Sequence, residues 1–263
     1  MRVLSIAATG MTAQQTNLEV IANNMANVST TGFKRSRAEF TDLLYQAYRV
    51  PGVPNMTMEG TMPEGARVGL GTRVAAIRAV NQQGPLTKTD NEFDMAIIGR
   101  GYFQIVGPND EILYTRAGAF NKNEDGRIVT IEGYEIEGAL ADVPENTIQI
   151  TVNEAGQVFA TVDGELDPVD LGQIQLANFA NDVGLEPLGG NLYRETVTSG
   201  APVVGNPGEL GYGKIKQNYL ESSNVDPVKE ITELITAQRA YEMNSKVIQA
   251  ADEMMGTVSK GIR

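Results

Sequence analysis

The sequence lacks three residue types that carry much of the chemistry of other proteins. Its 263 residues include no cysteine, no histidine and no tryptophan. Without cysteine there is no disulfide framework and no thiol nucleophile. Without histidine, neither a Ser-His-Asp triad nor a Cys/His zinc site can be built. These absences favour a structural or binding protein over an enzyme.

Positive charge is also scarce, because 21 Lys and Arg face 33 Asp and Glu and the net charge is −12. This balance argues against a nucleic-acid partner, since phosphates need basic residues nearby. No run of about 18 apolar residues occurs, so we predict no membrane-spanning helix. The apolar start is broken at Thr12 and Gln14 before a signal-peptide core is complete, so if the protein is exported we expect this to occur without a cleaved signal peptide.

Both ends of the chain show the seven-residue spacing of helices that pack against each other. A second row, which includes Ile21 in the first helix, follows three positions after the main one. Asp226 suits the N-cap of the second helix, and Pro227 suits its first turn. The main rows are Leu4, Met11, Leu18 and Met25 near the N-terminus, and Leu234, Tyr241, Ile248 and Met255 near the C-terminus. We predict that the two helices pair antiparallel.

The surface of the first helix is unusual because it carries almost no charge. Between Val3 and Phe33 the only charged residue is Glu19, whereas a surface helix normally exposes Lys and Glu. Interface cores are depleted in charge, so we expect other chains to cover this helix. Its polar residues include Asn23, Asn24 and Asn27, and Gly32 suits the turn at which the chain leaves the helical core.

Between the two ends, the apolar period changes to two and glycines mark frequent turns, as in short strands. Turn signals at Glu154-Ala155-Gly156 and Asp163-Gly164 predict hairpins. We therefore predict an α+β protein, with a coiled-coil-like helix pair and a central all-β domain. The predicted segments are an N-terminal core helix at 1–32, an extended linker or long hairpin at 33–74, an all-β outer domain at 75–224 and a C-terminal core helix at 225–263.

Two stretches could carry chemistry, and each has a simpler interpretation. Asn121–Glu132 nearly fits a calcium loop of the EF-hand type, but its strand-like flanks favour a β-hairpin turn. Asp90, Glu92 and Asp94 could supply the paired carboxylates of a hydrolase, but the pattern favours a solvated acidic loop. The sequence therefore predicts no catalytic, cofactor-binding or metal-binding residue.

The basic cluster Phe33–Arg37 contains Lys34, Arg35 and Arg37. It could bind an acidic surface on a neighbouring subunit, or it could simply face water after a helix end. The sequence leaves both interpretations open.

Several stretches resemble the family of bacterial flagellar rod and hook proteins. They are ANNMANVSTTGFKR at 22–35, GPLTKTDNEFDMAIIGRGYFQI at 84–105, YTRAGAF at 114–120 and the stretch from QNYLESSNVDP to IQAADEM at 217–254. The resemblance implies a structural subunit that self-assembles into a rigid helical tube and transmits torque from motor to hook. It also implies that the terminal helices line the core of the tube and that the β domain lies outside.

The same resemblance implies a location and a set of partners. The location is the flagellar basal body across the periplasm. The partners are copies of the chain, proximal rod proteins, the hook protein, the P- and L-ring bushing proteins and the flagellar type III export apparatus, with no nucleic acid, cofactor or small-molecule substrate. The stretch AEFTDLLYQ and its continuation resemble a rod-specific segment, with Tyr45, Gln46, Pro51, Pro54 and Pro63. The alternatives are a hook or other rod subunit and a carboxylate-based peptidoglycan hydrolase.

Overall fold

The computed structural model describes residues 2–49, 65–138, 140–164 and 167–261. The chain divides into two compact units. The helical unit comprises Met1–Met25, Ser36–Arg78 and Asp226–Arg263, and the β unit comprises Ala26–Arg35 and Ala79–Val225. The short segment 26–35 therefore belongs to the β unit, although it directly follows the first helix.

The helical unit contains two long helices and two pairs of strands. Helix α1 spans Arg2–Ala26 and helix α2 spans Pro227–Gly261. The strands are β1 (Ser36–Asp42), β2 (Tyr45–Arg49), β3 (Ala66–Gly69) and β4 (Thr72–Ala79). β1 pairs with β4, and β2 pairs antiparallel with β3. No helix among the described residues has the length and apolar character needed to cross a membrane.

The ends of the helices follow from local hydrogen bonding. At the start of α2, the Asp226 carboxylate accepts from the backbone N–H of Val228 at 3.0 Å, as the N-cap prediction requires. Helix α1 ends at Ala26, six residues before the end of the segment expected to be core helix. The Asn27 and Thr30 side chains bond to each other at 3.1 Å, which favours a turn over a further helical turn.

The β unit is built from sixteen short strands in its described part. The largest sheet has the order β16-β17-β8-β7-β11-β10-β9, with β15 attached to β7 and β18 attached to β15, while β12-β13-β14 form a separate sheet and β5/β20 and β6/β19 form pairs. The strands are β5 (Leu86–Lys88), β6 (Met95–Ile98), β7 (Tyr102–Val106), β8 (Ile112–Thr115), β9 (Phe120–Lys122), β10 (Ile128–Thr130), β11 (Glu135–Ile136), β12 (Thr147–Val152), β13 (Gln157–Val162), β14 (Val169–Gln173), β15 (Leu176–Asn178), β16 (Glu186–Gly189), β17 (Leu192–Arg194), β18 (Val203–Gly205), β19 (Lys214–Gln217) and β20 (Tyr219–Glu221).

Strand β7 is the centre of the β unit because both of its faces are covered. Phe103 packs edge-to-face on Phe120 at 5.2 Å between ring centroids, within the larger cluster of buried apolar residues. On the opposite face, Tyr102 contacts Phe179 at 5.9 Å within a second cluster. Alternate residues of a strand point to opposite faces, so one strand supplies both clusters.

The hairpin predicted at Glu154-Ala155-Gly156 is confirmed, and the strands on either side of Asp163-Gly164, β13 and β14, also pair antiparallel. Strands β12 and β13 pair antiparallel on either side of residues 153–156, where the Asn153 side chain accepts from the backbone N–H of Ala155 and Gln157. Residues 121–132 also form a hairpin, since β9 and β10 pair antiparallel across them. The hairpin interpretation of this stretch is thus confirmed. The flanks of the stretch are strands, whereas an EF-hand calcium loop is flanked by helices.

Candidate assembly site

The two helices contact each other in opposite directions. A Cβ atom on Gly10 would lie 2.9 Å from the Asn244 side-chain nitrogen, and the Asn24 amide donates to Glu230 at 3.1 Å. Moving 14 residues forward along α1, from Gly10 to Asn24, therefore moves 14 residues back along α2, from Asn244 to Glu230. The predicted α+β architecture, with an antiparallel helix pair and a central all-β region, is confirmed.

The buried face of α1 differs from the predicted apolar row. Ala13, Val20 and Asn24 are buried, at intervals of seven and four residues. On its second packed side, Thr9 contacts the turn after β3, where a Cβ on Gly71 would overlap the Thr9 hydroxyl. Gly10 and Gly71 allow these close approaches, so the buried stripe of α1 faces the rest of the unit.

The predicted seam residues of α1 consequently lie beside this stripe. Ile21, in the second row, is buried at 3% exposure. The four members of the main row are only half-buried: Leu4, Met11, Leu18 and Met25. The chain therefore leaves part of its most apolar row on α1 accessible.

The solvent side of α1 is made mostly of small and uncharged residues. Its exposed positions recur at intervals of three and four residues, which is the spacing of a helix seam. The exposed residues at this spacing are Arg2, Ser5, Ala8, Thr12, Gln15, Glu19, Ala22 and Ala26, and Val3 and Asn23 are exposed beside them. Only Arg2 and Glu19 on this face are charged, so it carries much less charge than an ordinary solvent-facing helix.

Helix α2 exposes large apolar side chains in two groups. At its start, Val228, Ile231 and Ile235 are 74%, 49% and 45% exposed, on one face of the helix. Further along, Met243, Val247, Met254 and Met255 are also exposed. Among the predicted seam residues of this helix, Leu234 and Ile248 are half-buried, whereas Tyr241 and Met255 are exposed. Contiguous exposed apolar surface of this kind marks interaction sites.

The segment around β2 in the helical unit also exposes large apolar side chains. Leu44 is 82% exposed, Tyr45 59% and Tyr48 60%, and Gln46 is exposed between the two tyrosines. Tyr45 and Gln46 lie in β2, opposite Gly69 and Val68 of β3. The other members of the predicted rod-specific segment, Pro51, Pro54 and Pro63, lie outside the described residues.

Asn24 holds three elements of the helical unit together. Its amide nitrogen donates to the Ser36 carbonyl at 2.8 Å and to Glu230 Oε2 at 3.1 Å, and its carbonyl oxygen accepts from the Ser36 backbone N–H at 2.8 Å. Glu230 is fully buried. Asn24 therefore bonds within the subunit, joining α1, α2 and β1. By contrast, Asn23 is exposed and Asn27 is half-buried.

Gly32 and Phe33 belong to the β unit. Backbone hydrogen bonds attach their segment, residues 26–35, to the rest of that unit. The Gly32 N–H donates to the Glu221 carbonyl at 2.7 Å, and the Asn224 N–H donates to the Phe33 carbonyl. Gly32 has a φ of +72°, and a Cβ there would lie 2.8 Å from the Ala117 nitrogen. Only glycine satisfies both the conformation and the crowding.

Lys34 lies at the centre of a buried charge cluster, defined by Lys34, Arg116 and Glu221. Lys34 Nζ lies 2.5 Å from Glu221 Oε1, and Arg116 Nε lies 2.7 Å from Glu221 Oε2. The Gly84 N–H also donates to Glu221 at 2.9 Å. Neither interpretation of the basic run holds for Lys34, which is buried within its own chain, whereas Arg37 is exposed beside Glu39.

The electrostatics of this cluster are set by burial and by charge pairing. Burial raises the pKa of Glu221, but Arg116 and Lys34 outweigh it, so the pKa of Glu221 lies below its ordinary value. Burial lowers the pKa of Lys34, and Glu221 opposes that shift. Sequence reasoning missed Arg116 and Glu221. A usable signal existed, since Arg116 is the only charged residue in YTRAGAF and Glu221 the only one in QNYLESSNV.

Two of the three carboxylates considered for hydrolysis are used in structural hydrogen bonds, and the third, Asp90, is exposed. Asp94 is buried and accepts from the Asn91 side chain at 3.0 Å, and Glu92 accepts from the Ile150 backbone N–H at 3.0 Å. Across the described part of the chain, no three His, Cys, Asp or Glu residues cluster as metal ligands would.

Comparison with known proteins covers the whole chain. Family models match at three places: the flagella basal body rod protein at residues 4–34, the flagellar hook protein FlgE/F/G D1 domain at 96–160 and the flagellar basal body rod FlgEFG protein C-terminal region at 216–260. The chain is 58% identical to the flagellar basal-body rod protein FlgG of Agrobacterium fabrum over 263 residues, which is 100% of both chains.

Two further relatives are less similar to the chain. FlgG of Caulobacter vibrioides is 49% identical over 260 residues, covering 99% of each chain. The flagellar hook-basal body complex protein FlhP of Bacillus subtilis is 28% identical over 271 residues, covering 98% of each chain. The identity is thus higher to the FlgG relatives than to this FlhP. The chain belongs to the flagellar basal-body rod protein family.

Proposed function

We propose that the chain is a structural subunit of the distal part of the flagellar rod. Copies assemble into a rigid helical tube that transmits torque from motor to hook. The observation that carries this proposal is the surface of the helical unit, which exposes large apolar side chains on α2 and a face poor in charge on α1. The full-length similarity to FlgG proteins supports the distal rod over a hook or other rod subunit.

The exposed features of the two helices are complementary in shape. The face of α1 with Ala8 and Thr12 presents small side chains, and the start of α2 presents the branched side chains of Val228, Ile231 and Ile235. Large residues of one helix fill the grooves between small residues of another. Because these surfaces differ, their contact between copies is heterologous, and a heterologous contact that does not close produces an open helical filament.

The remaining parts of the chain have distinct roles in this proposal. The terminal helices line the core of the tube, and the all-β region at 75–224 forms its outer surface. The predicted rod-specific segment, with the exposed Tyr45 in its described part, adds a contact between copies that stiffens the rod. The family resemblance supports this arrangement.

The proposed setting is the flagellar basal body. There the subunit contacts proximal rod proteins, the hook protein and the P- and L-ring proteins across the periplasm. The type III export apparatus delivers it without a cleaved signal peptide. We also propose that it is not an enzyme, and we expect no muropeptide release from peptidoglycan by the purified chain.

Electron microscopy of concentrated protein tests the assembly. We expect straight tubes from the wild type and none from the double variant Ile231→Ser, Ile235→Ser, because the change removes exposed apolar contacts without altering the fold. The matched control is Ile148→Ser, Val203→Ser, which changes two exposed apolar residues of the β unit and should leave the tubes intact. Circular dichroism melting should be alike for all three proteins. Tubes formed equally well by the α2 variant would contradict the proposed surface.

A further inference from the structure

The net charge of the chain lies entirely in one of its two units. The helical unit contains 11 Lys and Arg and 11 Asp and Glu, so its net charge is zero. The β unit contains 10 Lys and Arg and 22 Asp and Glu, so its net charge is −12. These counts together account for the 21 basic and 33 acidic residues of the sequence.

Many carboxylates of the β unit are exposed and lie outside its ion pairs. The described residues of this kind include Glu124, Glu132, Glu145, Asp163, Asp167 and Glu195. Exposed charges interact through solvent, so salt screens them strongly. The uncompensated charge of the β unit is therefore felt at low ionic strength and largely removed at physiological ionic strength.

A neutral unit with exposed apolar surface associates readily, because net charge near zero promotes association. A unit with a charge of −12 repels copies of itself, since like charges brought close in an assembly add an unfavourable energy. Every subunit contains both units. Each subunit added to the proposed tube therefore makes apolar contacts through its helical unit. It also adds a net charge of −12 through its β unit.

We infer that the acidic β unit acts as an electrostatic brake on self-assembly, which ionic strength releases. The brake keeps the subunit monomeric at low salt, although the helical unit exposes its apolar surface. Screening then lowers the concentration needed for assembly. This inference rests on the proposed function, because it describes how the proposed assembly is regulated.

The test measures the critical concentration of the full chain for assembly, by sedimentation, in 10 mM and in 150 mM sodium chloride. The screening length falls from about 30 Å to about 8 Å over this range. Both salt concentrations are too low to cause salting-out. We expect the critical concentration of the wild type to fall by about tenfold or more between the two conditions.

A charge-neutralised variant and a matched control isolate the cause. The variant Glu124→Gln, Glu132→Gln, Glu145→Gln, Asp163→Asn, Asp167→Asn, Glu195→Gln halves the net charge of the β unit to −6. It should assemble at a lower concentration in 10 mM salt and respond weakly to added salt. The control exchanges Glu for Asp and Asp for Glu at the same six positions, retains the charge and should behave like the wild type.

The outcomes separate the inference from the proposed function. Wild-type assembly that is independent of salt, or that weakens as salt rises, overturns the brake and leaves the assembly proposal intact. A neutralised variant with the salt response of the wild type overturns it as well. If no protein assembles under any condition, the proposed function fails and the inference fails with it.

Discussion

The β unit and the helical unit solve the problem of burying apolar surface in different ways. Four of the five residues of β7 are buried, and both clusters of buried apolar residues found in the described chain lie in the β unit. Helix α1 buries five of its 25 residues, and α2 exposes valine, isoleucine and methionine. The β unit is complete within one subunit, whereas the helical unit keeps apolar surface available for neighbours.

The largest loss of stability in this comparison of the two units is expected at the buried charge cluster of the β unit. The change Glu221→Gln leaves Lys34 and Arg116 buried without their counter-charge. Breaking a buried pair in this way costs about 3–5 kcal/mol of the free energy of unfolding, and urea unfolding followed by near-UV circular dichroism measures it. The control Glu154→Gln removes an exposed pair with Lys214 and should change the free energy of unfolding little, because solvent screens exposed pairs. Equal losses would contradict the role of burial.

Crowding at the start of the β unit predicts the next largest effect. Gly32→Ala places a Cβ in a left-handed conformation and against the Ala117 backbone, and we expect a loss of about 2–3 kcal/mol in the free energy of unfolding. Gly164→Ala is the matched control, because its φ is +93° but a Cβ there meets nothing within 4 Å. The control should lose about 1 kcal/mol. A control loss as large as that of Gly32→Ala would remove the argument from crowding.

A smaller effect, confined to the other unit, is expected at Asn24. The change Asn24→Ala removes three hydrogen bonds and leaves polar groups of Ser36 and Glu230 without this partner, at a cost of about 2 kcal/mol. The loss should appear in the helical signal at 222 nm and spare the near-UV transition of the β unit. Gln15→Ala, at an exposed position of α1, should change neither signal. A loss of the near-UV transition in Asn24→Ala would show that the two units do not unfold separately.

The smallest expected effect is a pH dependence. Because the pKa of Glu221 is lowered in the folded protein, its contribution is fully present above the ordinary carboxyl pKa of about 4.3. It is lost as the pH falls from there through the lowered pKa. The stability advantage of the wild type over Glu221→Gln should therefore be constant from pH 7 to pH 5 and shrink below about pH 4. Urea titrations at each pH measure it, and an advantage that grows in acid would contradict the sign.

The sequence predicted some parts of the fold well because their causes are local. The heptad rows placed both helices, Asp226 capped α2 as expected, and the turn residues at 153–156 placed a hairpin. The end of α1 was placed too late, because the Asn27–Thr30 turn competes with the helix. The seam of α1 was offset, because glycines at 10 and 71 set how closely its neighbours approach.

The candidate site was likewise predicted from the sequence only in part. The scarcity of charge on α1 is a property of the sequence alone, and it indicated a covered surface before any contact was known. The Asn24–Glu230 and Lys34–Glu221 pairs join residues 206 and 187 positions apart along the chain, and no local pattern indicates pairs so distant. Residue type and spacing determined where helices, turns and faces poor in charge occur in this protein. Only the tertiary structure decided which polar groups are buried together and which apolar residues remain exposed, because both depend on packing between segments far apart in sequence.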